Sequence, residues 1–167
     1  MNIIAETERL TIRLATEADV PAVALLWADE RVTRYMGGPR DFEKVCTSMR
    51  NDLTMPPPKL DLWPVVGRES GTVVGHCGLL PKKVDDRDEV ELVYVIAVEF
   101  WGRGYATEAA GAVRDHAFRE LSITRLVSLI HPANTASERV AVKLGMRFES
   151  DTVRPNGRTL KVFSIAK

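Results

Sequence analysis

Cysteine, net charge and long apolar runs are all scarce in this sequence. The 167 residues include two cysteines, Cys46 and Cys77, in no CxxC spacing, so neither a disulfide framework nor a thiolate metal site is indicated. Lysine plus arginine equals aspartate plus glutamate at 23 each, so no overall field would draw the chain to nucleic acid or an anionic membrane. Any anion that the protein binds must therefore be held by a local site.

No segment of the sequence approaches the length of a membrane span. The first residues carry glutamates where a signal peptide needs a basic region, so we expect a cytoplasmic protein with no targeting segment. The length suits one domain over residues 1–167. The three histidines, His76, His116 and His131, share no short spacing, and we therefore predict no metal site.

The hydrophobic periodicity predicts strands and helices in mixed order. Apolar and polar residues alternate over residues 7–14, the period of a half-buried strand. Thr16 is placed to cap a helix that runs to about Ala28, and a second helix is expected over residues 41–53. Helical spacing returns after Gly104, with a buried alanine-rich face. Six further strands are predicted over residues 60–68, 72–80, 89–98, 124–130, 147–153 and 159–165.

The connections between these elements follow from turn-forming and charged residues. Pro64 indicates that its strand is an edge or bulged strand, and the charged stretch 82–88 is predicted to be a solvated loop. Thr135 is predicted to open a short helix in which Glu138 completes a capping box. Gly145 is placed to end that helix in the left-handed conformation.

This order of elements predicts an α+β fold. Helices between strands require some neighbouring strands to run parallel, whereas hairpins require antiparallel pairs. We therefore expect one central mixed, mostly antiparallel sheet of about seven strands, flanked by about four helices.

The most informative motif is a glycine-containing turn between a strand end and a helix start, Trp101-Gly102-Arg103-Gly104-Tyr105-Ala106. The first turn of a helix presents unpaired N–H groups and the positive end of the helix dipole, and glycines let an anion approach them. A pyrophosphate would fit there, although two glycines also suit a plain tight turn. The spacing matches neither a P-loop nor the three-glycine dinucleotide motif.

Three motifs together resemble GNAT-type N-acetyltransferases, in the branch of the ribosomal-protein N-terminal acetyltransferases. The turn matches the family's coenzyme A motif at Gly104 and Ala106, while Trp101 stands where that motif has Gln or Arg. Residues 131–146, which begin His-Pro-Ala-Asn-Thr-Ala-Ser, resemble the second motif of the branch, and residues 8–13 resemble its opening. The resemblance therefore extends over nearly the whole chain.

The resemblance implies acetyl-CoA as co-substrate, with no metal, and a sheet splayed between its fourth and fifth predicted strands. The backbone of Tyr94 and Ile96 would pair with the pantetheine arm, and Asn134 would hydrogen-bond the same arm. The residues implied to hold the pyrophosphate are Gly102, Arg103, Gly104, Tyr105, Ala106 and Thr107.

The chemistry requires a group that accepts a proton from the attacking amine. Glu91 is the candidate base because it lies on the strand beside the implied thioester, and Glu89, on the same face, is its rival. Ser137 either protonates the leaving thiolate or only serves the start of its helix. An N–H near Tyr94 is placed to stabilise the developing oxyanion.

Three functional hypotheses remain open at this point. The acceptor is a primary amine, either a protein N-terminal α-amine or an amine of a small molecule. The third hypothesis is a non-catalytic module that binds acyl-CoA. The expected partners include neither nucleic acid nor membrane, and the protein is expected to be a monomer or a homodimer.

Overall fold

The computed structural model describes residues 2–167, which form one eight-stranded sheet with five helices. The strands are β1 Ile3–Glu6, β2 Leu10–Arg13, β3 Leu62–Gly67, β4 Val73–Val84, β5 Arg87–Ile96, β6 Arg125–Ile130, β7 Arg147–Val153 and β8 Thr159–Ala166. The helices are α1 Val20–Ala28, α2 Glu30–Thr33, α3 Phe42–Asp52, α4 Tyr105–Arg119 and α5 Thr135–Lys143. No helix within these residues is long and apolar enough to cross a bilayer.

The strand order is β1-β2-β3-β4-β5-β6-β8-β7, and every neighbouring pair is antiparallel except β5 and β6. The β4–β5 ladder is continuous from Gly75 opposite Ile96 to Val84 opposite Arg87. In contrast, β5 and β6 pair only where Glu91 lies opposite Val127. The predicted mixed α+β sheet, splayed at its parallel pair, is therefore confirmed.

Helices cover both faces of the sheet. On one face α4 presents Ala109, Ala110, Val113 and Ala117, all buried, to a core that includes Leu92 of β5. The small alanine side chains allow this helix to lie close to the strands. On the opposite face Leu26 of α1 packs against Val93 and Val95, and α3 packs on α1. The alternation of side chains along β5 thus serves two separate cores.

Two predicted segments differ from the structure in part. The strand predicted over residues 7–14 is present as β2, but it is the second strand of a hairpin, because β1, which was not predicted, precedes it and pairs with it. The predicted loop over residues 82–88 is mostly strand, since β4 continues to Val84 and β5 begins at Arg87. Only Asp85 and Asp86 form the turn, both with positive φ; two such residues join strands tightly, and aspartate tolerates this conformation. The charged residues around them alternate between the two faces of a paired ribbon: Lys83 and Asp88 are exposed, whereas Lys82 is half-buried.

The helix ends and Pro64 were predicted with mixed success. The cap of α5 is Asn134, whose side chain accepts from the Ser137 N–H, and Thr135 is the first helical residue rather than the cap. Gly145 does end this helix, with φ of 87°. Strand β3, which contains Pro64, is an internal strand and not an edge strand. Its register with β4 shifts between Val65 and Val66, close to Pro64.

A buried histidine links the α1 face to the sheet. His76 of β4 accepts a hydrogen bond at its Nδ1 from the Trp27 indole N–H, at 3.0 Å, and the side chains meet edge to face. Burial lowers the pKa of His76 to about 4, because an imidazolium there would lose its hydration. The folded protein therefore holds this residue neutral at pH values where the unfolded chain would protonate it.

We predict that His76 makes the protein sensitive to mild acid. Its pKa is lower in the folded state, so its stabilising effect is complete above about pH 6.5 and is lost as pH falls towards 4. The loss amounts to about 3 kcal/mol at most. Urea unfolding of His76→Gln, which keeps an acceptor for Trp27, should show a shallower decline in unfolding free energy over this range. Identical pH dependence in the two proteins would contradict the prediction.

Candidate functional site

A gap between β5 and β6 opens beyond their single point of pairing. Beyond Glu91, the Ser128 hydroxyl still donates to the Leu92 carbonyl at 2.8 Å, whereas the Ala97 N–H points away from β6 and donates to the Val74 carbonyl of β4 at 2.9 Å. Because backbone groups alternate in direction along a strand, those of Tyr94 face the gap. An extended polar chain could pair with this strand from the β6 side.

The glycine turn lies at the same end of β5. Gly102 and Gly104 both have left-handed backbones, with φ of 74° and 79°, and α4 begins directly afterwards. The N–H groups of Tyr105, Ala106 and Thr107 have no carbonyl partners within the helix because they form its first turn. Together with the positive end of the dipole of this 15-residue helix, they form a site suited to phosphate oxygens.

A long-range ion pair fixes the turn to the β1–β2 hairpin. Arg9 bonds Glu108 of the first turn of α4 at 2.7 Å and donates to the Arg103 carbonyl at 3.0 Å. Glu108 also accepts from the Thr7 hydroxyl at 2.5 Å. Burial alone would raise the pKa of Glu108, but the bonds from Thr7 and Arg9 outweigh it and lower that pKa. The carboxylate thus remains charged and holds the turn in place.

Two aromatic side chains organise the approach to the turn. The Trp101 indole N–H donates to the Ile96 carbonyl at 2.7 Å, so that carbonyl already has a partner at the edge of the gap. The Arg103 guanidinium lies over the Phe100 ring, 5.4 Å from its centroid, and its side chain is exposed. Arg103 is therefore free to move towards an anion at the turn.

Glu91 lies where β5 and β6 separate, on the face that carries α1. Its side chain is only 12% exposed, and one carboxylate oxygen lies 3.2 Å from Lys82 Nζ. Burial raises the pKa of Glu91 above its ordinary value, and the Lys82 charge, the Leu129 N–H and the Arg154 charge oppose part of that rise. A carboxyl group with a raised pKa accepts a proton more readily near neutral pH.

The rival glutamate has a different environment. Glu89 forms a two-pronged pair with Arg125, with N–O distances of 3.1 to 3.2 Å, and its side chain is 7% exposed. Arg125 also bonds Glu149. Glu89 is thus committed to an ion network with Arg125 and Glu149.

Ser137 lies on the opposite face of β5, beside Tyr94. Its Oγ donates to the Tyr94 hydroxyl at 3.2 Å, and that hydroxyl donates to the Ser137 carbonyl at 2.8 Å. Burial raises the pKa of Tyr94 to about 12, so the phenol stays protonated at neutral pH. The Asn134 side-chain oxygen caps α5, and its amide NH₂ is the part of the side chain that remains for a ligand.

The predicted site residues thus lie along β5 from Glu91 to Ile96, on the turn that follows it and at the start of α5, which contacts Tyr94. The two candidate catalytic residues lie on opposite faces of β5. Sequence reasoning missed the contributions of Arg9, Lys82 and the Tyr94 hydroxyl. Arg9 meets its partner across 99 positions, so no local pattern could reveal the pair. Lys82 was assigned to a loop, although an alternating ribbon over residues 73–96 would have placed it beside Glu91. Among residues 2–167, no cluster of three histidine, cysteine or acidic side chains could hold a metal ion.

This site combines a gap between two strands, a glycine turn and a helix N-terminus with unpaired N–H groups. Such a combination suits proteins that bind an extended ligand with phosphate groups. The family model for the acetyltransferase (GNAT) domain matches residues 9–147. The chain therefore belongs to the GNAT acetyltransferase family. It is also 33% identical to the uncharacterized protein YkkB of Bacillus subtilis over 162 residues, which cover 94% of this chain and 92% of YkkB.

Solved structures of the same family share the fold. A GNAT-family acetyltransferase from Bacillus anthracis superimposes with a TM-score of 0.82 at 26% identity, and the match covers 97% of both chains. RimL, a ribosomal L7/L12 α-N-protein acetyltransferase solved in complex with coenzyme A, superimposes with a TM-score of 0.79 at 17% identity, over 99% of this chain and 98% of RimL. The GNAT membership inferred from the sequence motifs is thus confirmed, and the protein is an acetyltransferase of this superfamily.

We predict that the Tyr94 phenol ionises only at strongly alkaline pH. Its phenol is buried against Ser137, which raises its pKa to about 12, about two units above that of a free tyrosine. A spectrophotometric titration at alkaline pH should show one component near pH 12 that is absent from Tyr94→Phe. If the wild type shows no component that titrates above the range of a free tyrosine, this pocket is wetter than the structure indicates.

Proposed function

We propose that this protein transfers an acetyl group from acetyl-CoA to a primary amine, by direct attack of the amine while both substrates are bound. The observation that carries the proposal is the gap beyond Glu91 and Val127, which leaves the backbone of Tyr94 available beside the turn at Gly104. A cofactor with a peptide-like arm and a pyrophosphate matches both features: the arm would pair with β5 in the gap, and the pyrophosphate would bind at the turn that follows.

The residues of this end of the sheet fit acetyl-CoA well. The amides from Gly102 to Thr107 would hold the pyrophosphate, and Arg103 would add one mobile positive charge. The backbone of Tyr94, the remaining N–H of Ile96 and the amide NH₂ of Asn134 would hold the pantetheine arm. The coenzyme A bound by RimL supports this assignment. Acetyl-CoA supplies the activated acetyl group as a thioester.

Glu91 and Ser137 would carry the proton transfers. As the new C–N bond forms, the amine proton passes to Glu91, directly or through water. As the C–S bond breaks, Ser137 Oγ, which bonds the Tyr94 hydroxyl, would give its proton to the leaving thiolate and would regain one from water. The N–H of Tyr94 faces the gap, where it would stabilise negative charge on the acetyl oxygen.

A catalytic role fits the surroundings of Glu91 better than a purely ligand-binding role. A module that only bound acyl-CoA would gain nothing from a buried carboxyl group with a raised pKa on the face opposite the Ser137 hydroxyl. The acceptor is a protein N-terminal α-amine or an amine of a small molecule. The RimL likeness favours the α-amine of a protein.

The role of Glu91 predicts the pH dependence of turnover. Lys82→Met removes the charge that most opposes the effect of burial, so the pKa of Glu91 should rise and the acid limb of kcat/KM should move up by about one pH unit. Lys83→Met, which removes a neighbouring lysine paired with exposed Asp88, should leave the limb in place.

Glu91→Gln should lower kcat by about a hundredfold or more. A Glu91→Gln enzyme at full rate from pH 6 to 9 would exclude this residue as the base.

The glycine turn predicts a matched pair of variants. Gly104→Ala and Gly157→Ala both force a side chain into a left-handed backbone, with φ of 79° and 82°, and each should cost about 1 kcal/mol of stability. Only Gly104→Ala should also raise the KM for acetyl-CoA, by about tenfold, because it alone alters the turn before α4. Equal KM values for the two variants would show that the turn does not hold the cofactor.

A further inference from the structure

The side of the sheet that carries Glu91 has a wall formed by the last hairpin. The turn between β7 and β8 reaches back to the β4–β5 ribbon, where Thr152 Oγ1 donates to Asp85 at 2.8 Å and Arg154 donates to the Lys83 carbonyl at 2.8 Å. Beneath these contacts, Val84, Val127 and Val162 form a small buried apolar cluster. The hairpin is thereby fixed opposite the strand that presents Glu91.

The segment that follows α2 also borders this space. The Tyr35 ring stacks on His131 with centroids 5.0 Å apart, and Arg158 donates to the Tyr35 carbonyl at 3.2 Å. A side chain added at Gly37 would lie 3.6 Å from Arg40 Nη1 and 3.7 Å from Arg158 Nη1. Two guanidinium groups therefore border this glycine, and the loop joins the hairpin at the rim of the space.

Two arginines of this hairpin differ from the other half-buried arginines of the protein. Of the five arginines that are neither buried nor exposed, Arg13, Arg114 and Arg125 each pair with a carboxylate. Within residues 2–167, Arg154 and Arg158 form no such pair. Their hydrogen bonds go to backbone carbonyls instead. Partly desolvated guanidinium groups usually pair with anions, so these two have unused capacity to bind one.

We infer that Arg154 and Arg158 select an acceptor that carries a carboxylate close to its reacting amine, an inference that rests on the proposed acetyl transfer. Glu91 would face the amine, while the hairpin arginines would bind the carboxylate of the same molecule. Arg154 donates to the Lys83 carbonyl at 2.8 Å, and the preceding residue, Lys82, lies 3.2 Å from Glu91, so one small acceptor would meet both Glu91 and Arg154. A polycationic amine would meet Lys82, Arg154, Arg158 and Arg40 and would be repelled.

The carboxylate can come from an acidic residue at the start of a peptide or from a free amino-acid derivative. Comparison of acceptors distinguishes these sources. We expect the wild type to acetylate Ser-Asp peptides with a kcat/KM about tenfold or more above that for Ser-Asn peptides, and Ser-Lys peptides more slowly still. A comparison of free dipeptides with longer peptides that share the same first two residues shows whether the carboxylate belongs to a peptide or to a free amino-acid derivative.

Variants of the two arginines test whether they provide the selection. In Arg154→Gln and Arg158→Gln, the KM for the Ser-Asp acceptor should rise by about tenfold to a hundredfold, and the preference over Ser-Asn should collapse. Arg154→Lys should restore part of the preference, because it keeps the charge but not the fork geometry. Arg119→Gln, at the far end of α4, is the matched control and should change nothing.

The outcomes separate this inference from the proposed reaction. If the enzyme acetylates Ser-Lys peptides or polyamines as fast as it acetylates Ser-Asp peptides, the inference about the acceptor is overturned. The proposed acetyl transfer would still stand. If no amine is acetylated, the proposed function fails. Calorimetry with the Ser-Asp and Ser-Asn peptides then decides the inference separately. Preferential binding of Ser-Asp that Arg158→Gln abolishes would support it, and equal binding of the two peptides would overturn it.

Discussion

The whole site depends on the single point at which β5 and β6 pair. Glu91 and Val127 hold the two halves of the sheet together, and beyond them the strands separate. If the ladder continued, the backbone groups of Tyr94 would bond β6 and no ligand could reach them. The Ser128 hydroxyl satisfies the Leu92 carbonyl just past the junction, and the Trp101 indole satisfies Ile96 at the far end. The gap is thus bounded at both ends by side chains.

The same gap would allow one strand to serve both substrates of the proposed reaction. Side chains alternate along β5, so Glu91 lies on the face of α1 while Tyr94 lies on the face of α4 with Ser137. A thioester in the gap would be reached by a base from one face and by a hydroxyl from the other. The Arg9–Glu108 pair lies at the glycine turn, and the hairpin arginines border the proposed acceptor space.

Much of this arrangement was predictable from the sequence because it is encoded locally. The glycine turn, the alanine face of α4 and the last hairpin follow from spacing within a few residues, and family motifs placed Glu91, Asn134 and Ser137. The misassigned features have a common cause. Charged residues over 82–88 look like a loop unless their pairing with β5 is known, and Asn134 competes with Thr135 for the same cap. The partners of Arg9 and Arg154 are set only by tertiary packing.

Amide hydrogen exchange with and without acetyl-CoA tests the central claim most directly. If the gap and the turn hold the cofactor, the amides of Tyr94 and Ile96 and those of Tyr105, Ala106 and Thr107 should gain protection together, while the amides of β7 should not change. Binding without protection of Tyr94 and Tyr105 would show that the cofactor lies elsewhere and would contradict the account.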